Sequence, residues 1–203
     1  MAKIVLFVLL DQYADWEAAY LSSAIHMLGQ GNFETKTVSL TKENVCSIGG
    51  FRMLPDYDIY TVPTEYEALI LVGGMTWRNK NARQLRPLVE KCLNDGKVLG
   101  GICDASAFLG TIGVLNHGKH TSNDLKDLKQ WAGDSYAGED NYIMDQAVSD
   151  KNIITANGTA ALEFAREVLL ALEVASEENI MEWYHFHKLG YYNTSMPNME
   201  TKN

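Results

Sequence analysis

Short apolar runs that alternate with segments of helical periodicity most constrain the fold of this chain. Apolar runs occupy residues 3–10, 67–74 and 97–103, and amphipathic segments occupy residues 15–29 and 80–95 between them. Short apolar runs of this length, separated by helix-period segments, are typical of strands buried on both faces of a parallel sheet. The pattern therefore predicts an α/β protein with a mostly parallel sheet.

Turn residues and periodicity predict the remaining elements. Asp15 is the expected N-cap of the first helix, and Pro55 restricts the later limb of a hairpin to a sheet edge. Segment 116–150 is the least regular and is predicted to leave the main sheet. A chain of 203 residues suits one domain, 1–203, with a helical extension from about residue 176. The other predicted elements are strands at 33–40 and 152–158, a hairpin at 44–59, and helices at 104–113, near 124–131, at 159–174 and at 176–189.

Charge and composition limit the classes of partner. The net charge is -9 and no block of basic residues is present, which argues against nucleic acid and favours a small molecule or a peptide. The apolar run from Ile4 to Leu10 is too short to span a membrane, so no membrane association is expected. Cys46, Cys92 and Cys103 form no CxxC pair, which suits reduced thiols in a cytoplasmic protein.

The sequence GGICDASA, residues 100–107, places Cys103 where a buried strand turns into a helix. This order is typical of a nucleophile elbow, which needs small residues two positions to either side of the nucleophile. Gly101 and Ala105 meet that need, although the usual pattern has a second glycine in place of Ala105. The helix N-terminus predicts a lowered pKa for the Cys103 thiol. The alternative is a buried, unreactive core cysteine.

Two further motifs fall at strand ends, which meet at one edge of a parallel sheet. Gly73 and Gly74 end the strand at 67–74 and would supply backbone N–H donors for an oxyanion, or form an ordinary tight turn. Glu17 lies in the first turn of the first helix. Its carboxyl would stay protonated beside the thiolate, or lie on the surface where an acid suits the helix dipole.

Five motifs occur with the order and spacing of one family: ADWE, LILVGG, GGICDASAFLG, GKHTSND and ITANGTAALEFA. Over residues 3–174 the chain resembles the ThiJ/PfpI family, which includes PfpI-type intracellular proteases and the human parkinsonism-associated deglycase, within the class I glutamine amidotransferase-like superfamily. The resemblance implies a flavodoxin-like three-layer sandwich that needs no cofactor. It also implies that Cys103 is the nucleophile, Glu17 the acid near its sulfur, and Gly74 and Asp104 the oxyanion donors.

One departure from the PfpI-type pattern concerns the residue after the nucleophile. PfpI-type proteases have histidine there, whereas this chain has Asp104. The candidate base is then His120, whose alternative role is that of a surface loop residue. His117 and His120 form an HxxH pair without a third ligand at a suitable spacing, so no metal site is predicted.

The aromatic sequence WYHFH, residues 183–187, lies beyond the family resemblance. It would form a binding stripe, part of the core or a dimer surface. An exposed aromatic helix together with the family resemblance favours a homodimer.

Three functions follow from these features. The leading prediction is a cysteine-dependent hydrolase that acts on amide, peptide or related carbonyl substrates through Cys103, Glu17 and His120. The first alternative is a glyoxalase or deglycase that acts on 2-oxoaldehydes without a cofactor. The second is a redox-responsive or chaperone-like protein in which Cys103 is oxidised to a sulfinate. A purely structural role for Cys103 also stays open.

Overall fold

The elements of the computed structural model, which describes residues 2–197, follow the predicted alternation of strands and helices. The strands are β1 (Lys3–Val8), β2 (Phe33–Ser39), β3 (Val45–Cys46), β4 (Arg52–Met53), β5 (Tyr57–Asp58), β6 (Ala68–Leu71), β7 (Val98–Ile102), β8 (Ala147–Asp150) and β9 (Ile153–Ala156). The α-helices are α1 (Asp15–Leu28), α2 (Arg86–Asn94), α3 (Asp104–Thr111), α4 (Leu125–Ala132), α5 (Ala161–Ala171) and α6 (Glu177–Leu189).

One seven-stranded sheet organises the chain, with the strand order β5-β2-β1-β6-β7-β9-β8. Every neighbouring pair is parallel except β8 and β9. The inner order β2-β1-β6-β7-β9 is that of a flavodoxin-like doubly wound sheet, which confirms the predicted fold class. Its direction of winding reverses between β1 and β6, so a crevice opens beyond the carboxyl ends of these two strands.

Alternating side chains along the strands build a core on each face of the sheet. Val5 and Phe7 of β1 pack on the side covered by α1, α5 and α6. Leu6 and Val8 pack on the other side, which α2, α3 and α4 cover. The strands carry apolar residues in unbroken runs because both faces are buried.

Two helix starts differ from the prediction. The segment 80–95 begins as a 3-10 helix, Lys80–Leu85, and becomes α-helical only from Arg86. Pro87 suits this new start because its missing N–H has no partner in the first turn of a helix. Asp15 is not the N-cap of α1. Ala14 holds that position, and the Asp15 carboxylate instead accepts the Gly49 N–H at 2.8 Å, which ties α1 to the β3–β4 hairpin.

The prediction that segment 116–150 leaves the main sheet is wrong at its end. Residues Ala147–Asp150 form β8, which pairs antiparallel with β9 at the sheet edge. A four-residue edge strand with Ser149 exposed carries too little apolar periodicity to be recognised. The predicted hairpin is also shorter than expected, because only β3 and β4 pair within it, while β5 joins β2 in the main sheet.

The aromatic helix α6 packs mainly against the domain. Trp183 and Tyr184 are buried, and the Tyr184 hydroxyl donates to the Glu163 carboxylate of α5 at 3.1 Å. The expectation of an exposed aromatic helix is therefore wrong for these two side chains. Among residues 2–197, no helix has both the length and the apolar character that crossing a membrane requires.

We expect Gly100→Ala to destabilise the protein, because β7 crosses the sheet centre at this residue. A Cβ there would lie 2.8 Å from Cζ of Phe164 and 3.0 Å from Cδ1 of Ile70, on α5 and β6. Overpacking of this kind lowers the free energy of unfolding by about 1–3 kcal/mol, measurable by urea denaturation. The exposed edge-strand control Ser149→Ala should stay within about 0.5 kcal/mol of the wild type. Equal stabilities for both variants would contradict the expectation.

Candidate active site

Cys103 occupies a strained turn between β7 and α3. Its φ is 60° and its ψ is -133°, a conformation that L-residues rarely adopt. The Cys103 N–H donates to the Ala156 carbonyl of β9 at 2.9 Å, which holds the turn against the sheet. The side chain is partly exposed beyond the carboxyl ends of the strands. The structure thus forms the strained strand-to-helix turn that the sequence predicts at Cys103.

Glu17 lies against the sulfur of Cys103 from the first turn of α1. Only 1% of Glu17 is exposed, and neither of its carboxyl oxygens has a hydrogen-bond partner of good geometry. Burial raises the pKa of Glu17 to about 7, and the adjoining Cys103 thiol and Gly73 amide oppose that rise only in part. Glu17 is therefore a buried acid that exchanges its proton near neutral pH.

Two glycines allow the carboxyl and the sulfur to approach each other. A Cβ at Gly73 would lie 2.4 Å from Oε2 of Glu17 and 2.5 Å from Cβ of Cys103. A Cβ at Gly158 would lie 2.9 Å from Sγ of Cys103 and 3.2 Å from Oε1 of Glu17. Any larger residue at either place would separate the reactive groups.

The expected lowering of the Cys103 pKa is not found. Burial, followed by the negative charge of Glu17, raises the pKa of the thiol to about 11, although hydrogen bonds from Asn123 and the Asp104 N–H favour the thiolate. The position at the start of α3 does not overcome the loss of water around the sulfur. Cys103 and Glu17 therefore act as a coupled pair that holds two protons below about pH 7 and one proton from there to about pH 11.

Asn123 is a contact of the sulfur that the sequence did not single out. Its Nδ2 donates to Sγ of Cys103 at 3.3 Å, and its Oδ1 accepts the Gly158 N–H at 2.8 Å. Because a backbone N–H is only a donor, it fixes the carboxamide with the NH₂ group toward the sulfur. Trp16 donates from its indole to the Gly158 carbonyl at 3.0 Å and holds this loop to α1. Asn123 lies within the GKHTSND motif, but nothing in its residue type marks it.

The structure gives His120 a different environment from the predicted one. His120 is buried, its Nδ1 bonds the Gly118 carbonyl at 2.7 Å and its Nε2 bonds the Tyr136 hydroxyl at 2.7 Å. Both ring nitrogens are thus used away from Cys103, and no Cys103–His120 hydrogen bond forms. Burial lowers the pKa of His120, which keeps the imidazole neutral. Its contacts anchor the segment that leads to Asn123.

The predicted oxyanion donors lie beside the elbow in different states. Gly74 has a φ of 153° and pairs with Tyr13 in an isolated antiparallel β-bridge. The N–H donors of the two backbone hydrogen bonds in this bridge belong to Ala14 and Met75. The Gly74 N–H therefore makes no backbone hydrogen bond in this bridge. The Asp104 N–H already faces the sulfur of Cys103.

The carboxylate of Asp104 points to a separate role. Both of its oxygens bond Arg78, with Nε to Oδ2 at 2.9 Å and Nη2 to Oδ1 at 3.3 Å. Asp104 therefore does not replace the histidine of PfpI-type proteases as a proton carrier. It is held as one half of an ion pair.

A cleft of about 780 Å³ adjoins the elbow through Asn123. Its wall carries amide and hydroxyl groups from Thr121, Ser122 and Asn157, together with charged groups of both signs such as Lys126 and Asp145. The cleft has room for a molecule considerably larger than a three-carbon aldehyde.

The fold and the site define an α/β protein with a partly exposed cysteine in a strained strand-to-helix turn. The chain belongs to the DJ-1/PfpI family, whose model matches residues 2–171. It is 38% identical over 193 residues to the "Uncharacterized protease YdeA" of Bacillus subtilis, covering 94% of this chain and 93% of that protein.

Two solved structures share the fold. The thiJ/pfpI family protein from Bacillus anthracis has a TM-score of 0.85 at 32% identity, with 93% of this chain and 91% of that chain covered. The DJ-1 superfamily protein Atu0886 from Agrobacterium tumefaciens has a TM-score of 0.83 at 32% identity, with coverage of 93% and 99%. The resemblance predicted from the sequence is confirmed.

We expect Glu17→Gln to stabilise the protein in a pH-dependent way. The folded-state pKa of about 7 lies above the ordinary value of 4.5, so the folded wild type retains a proton that the unfolded chain loses. The wild-type free energy of unfolding therefore falls as the pH rises between these values, whereas glutamine has no proton to lose. Relative to the wild type, the variant should gain about 2–3 kcal/mol at about pH 8 and little at about pH 5.

Urea denaturation at the two pH values measures this difference. Glu43→Gln, which changes an exposed glutamate, is the matched control and should show no such dependence. A stability difference for Glu17→Gln that is the same at both pH values would contradict the raised pKa.

Proposed function

We propose that this chain is a cysteine-dependent enzyme in which Cys103 attacks a carbonyl carbon while Glu17 carries the proton. The observation that supports this most is the coupled pair itself, in which a buried acid with a pKa of about 7 lies against the nucleophilic sulfur. A group that titrates near the working pH is suited to general acid–base catalysis. Asn123 stabilises the thiolate, since its NH₂ group faces the sulfur.

A small 2-oxoaldehyde is the substrate class that this pair suits best. Attack of the sulfur on the aldehyde carbon forms a hemithioacetal, and Glu17 passes the thiol proton on to the new alkoxide oxygen. The Glu17 carboxylate then removes the proton from the former aldehyde carbon and returns it to the neighbouring carbon. The hemithioacetal hydroxyl proton moves to the neighbouring ketone oxygen, which gives an enzyme-bound thioester of the 2-hydroxy acid. Water cleaves the thioester and returns the thiol, so that the net reaction adds one water to the oxoaldehyde. The Gly74 and Asp104 N–H groups would donate to the oxygen that becomes negative in the first step.

Amide or peptide hydrolysis is the second candidate. It is supported by the cleft of about 780 Å³ beside Asn123 and by the name of the Bacillus subtilis relative as an uncharacterized protease. Its difficulty is chemical, because cleavage of an amide needs a proton delivered to the leaving nitrogen. In Cys–His sites an imidazole does this, and both nitrogens of His120 are used elsewhere.

Incubation with methylglyoxal in the absence of any added thiol tests the first candidate. We expect the wild type to form lactate and Cys103→Ser to lose roughly a hundredfold or more of that activity, because the nucleophile is removed. Cys46→Ser, which removes a partly exposed cysteine of the β3–β4 hairpin, is the matched control and should retain full activity. If lactate formation is absent from the wild type, or survives in Cys103→Ser, the proposal is wrong.

The same variants separate the second candidate from the first. A mixture of short peptides, followed by mass spectrometry, should show cleavage that depends on Cys103 if the chain is a hydrolase. Peptide cleavage without lactate formation would reverse the order of the two candidates.

A redox-responsive role for Cys103 also stays a prediction. After mild peroxide treatment, a redox role requires the mass of two added oxygens on Cys103 and none on the buried Cys92. Equal oxidation of all three cysteines would contradict that role.

The homodimer and the cytoplasmic location are likewise proposals. Burial of Trp183 and Tyr184 removes part of the surface on which the dimer prediction depended. Support for a dimer now comes from the family resemblance, and sedimentation of the purified chain measures it.

A further inference from the structure

Arg78 bonds two carboxylates at once beside the elbow. In addition to its two bonds to Asp104, its guanidinium donates to both oxygens of Asp127, with Nη1 to Oδ1 at 3.1 Å and Nη2 to Oδ2 at 2.6 Å. The planar fork of arginine suits such paired contacts, and a lysine ammonium cannot reproduce them.

The two carboxylates belong to the first turns of two different helices. Asp104 is the first residue of α3 and directly follows Cys103. Asp127 lies in the first turn of α4, where its N–H donates to the side chain of the N-cap Asp124 at 2.7 Å. Asn123 directly precedes that N-cap. Arg78 therefore joins the first turn of α3, which follows Cys103, to the first turn of α4, which follows Asn123.

Arg78 itself has a rigid base. The preceding residue, Trp77, is buried, donates its indole N–H to the Val72 carbonyl at 2.8 Å and packs against Phe108 of α3. The guanidinium lies 4.8 Å from the ring centre of Trp131 on α4. Stacking on an aromatic face fixes the plane of the fork.

Stability alone does not account for this arrangement. The side chains of Arg78, Asp104 and Asp127 are 44%, 20% and 39% exposed, and ion pairs that water reaches contribute little to folding. The Arg78 guanidinium instead links three elements: the turn after β6, the start of α3 and the start of α4.

We propose that Arg78 is a positioning residue that sets the separation between the Cys103 sulfur and the Asn123 carboxamide by joining the first turns of α3 and α4. Through Asp104 it orients the N–H that faces the sulfur, and through Asp127 it holds the helix that Asn123 precedes. This inference deepens the proposed function, and it rests on that function for turnover but not for the reactivity of the thiol.

Charged groups lie near the sulfur, so the test must separate the effect of charge on the thiol pKa from the effect of geometry. Glu17 faces it from α1, and Asp104 lies next to it with its charge compensated by Arg78. Loss of Arg78 would raise the thiol pKa both through the uncompensated Asp104 charge and through loss of geometry. Removal of the Asp127 carboxylate has two effects of opposite sign on the thiol pKa. Loss of a negative charge lowers the pKa, whereas loss of the link to α4 raises it.

Alkylation of Cys103 by iodoacetamide, followed at the Cys103 peptide by mass spectrometry across a range of pH, provides the readout. We expect Arg78→Lys and Asp127→Ala each to slow alkylation about 3–10-fold at neutral pH, as a rise of about 0.5–1 unit in the apparent thiol pKa requires. The melting temperature should change by only a few degrees, since the ion pairs are partly exposed. In a turnover assay kcat should fall while KM stays nearly constant.

Arg86→Lys is the matched control, because Arg86 forms an exposed ion pair with Glu90 on α2 at 2.7 Å. It should leave the alkylation profile unchanged. Full reactivity in Arg78→Lys would show that charge alone is sufficient and would overturn the positioning role. Faster alkylation in Asp127→Ala would overturn it as well. These outcomes are independent of whether the wild type converts an oxoaldehyde or a peptide, so failure of the proposed function is seen separately.

Discussion

The site depends on the close packing of the buried Glu17 carboxyl against the Cys103 sulfur. A negative charge on one of these two ionisable groups opposes a second on the other, so the pair keeps at least one proton at every pH below about 11. Gly73 and Gly158 are required on either side because any side chain would push the two groups apart. The strained backbone of Cys103 belongs to the same constraint, since it turns the sulfur out of β7 and toward α1.

Asp104 shows how one substitution changes the use of a site. In PfpI-type proteases the corresponding histidine would share a proton with the nucleophile, whereas here the carboxylate is bound by Arg78. In the proposed function Glu17 carries the proton, and Asn123 makes the polar contact with the sulfur.

Features of this structure that depend on contiguous residues could be predicted from the sequence. Features that depend on residues far apart along the chain could not. The parallel strands, the elbow and the crevice follow from apolar runs and small residues that are contiguous in sequence. Asn123 and Arg78 lie 20 and 25 residues from Cys103 along the chain. Nothing in the sequence around Cys103 indicates either residue, because only the fold brings them together. The Cys103 pKa was predicted in the wrong direction because the helix dipole is a local feature, whereas burial is a property of the whole domain. The sequence does not reveal β8, because a four-residue edge strand carries too little apolar periodicity to be recognised.

The edges of the main sheet have a consequence for association. One edge is β5, of only two residues and close to Pro55, and the other is the four-residue antiparallel strand β8. Short edges of this kind offer few free backbone groups for pairing with another strand, which protects a sheet from growing into aggregates. Neither β5 nor β8 therefore offers a second copy of this chain a long edge along which to continue the sheet.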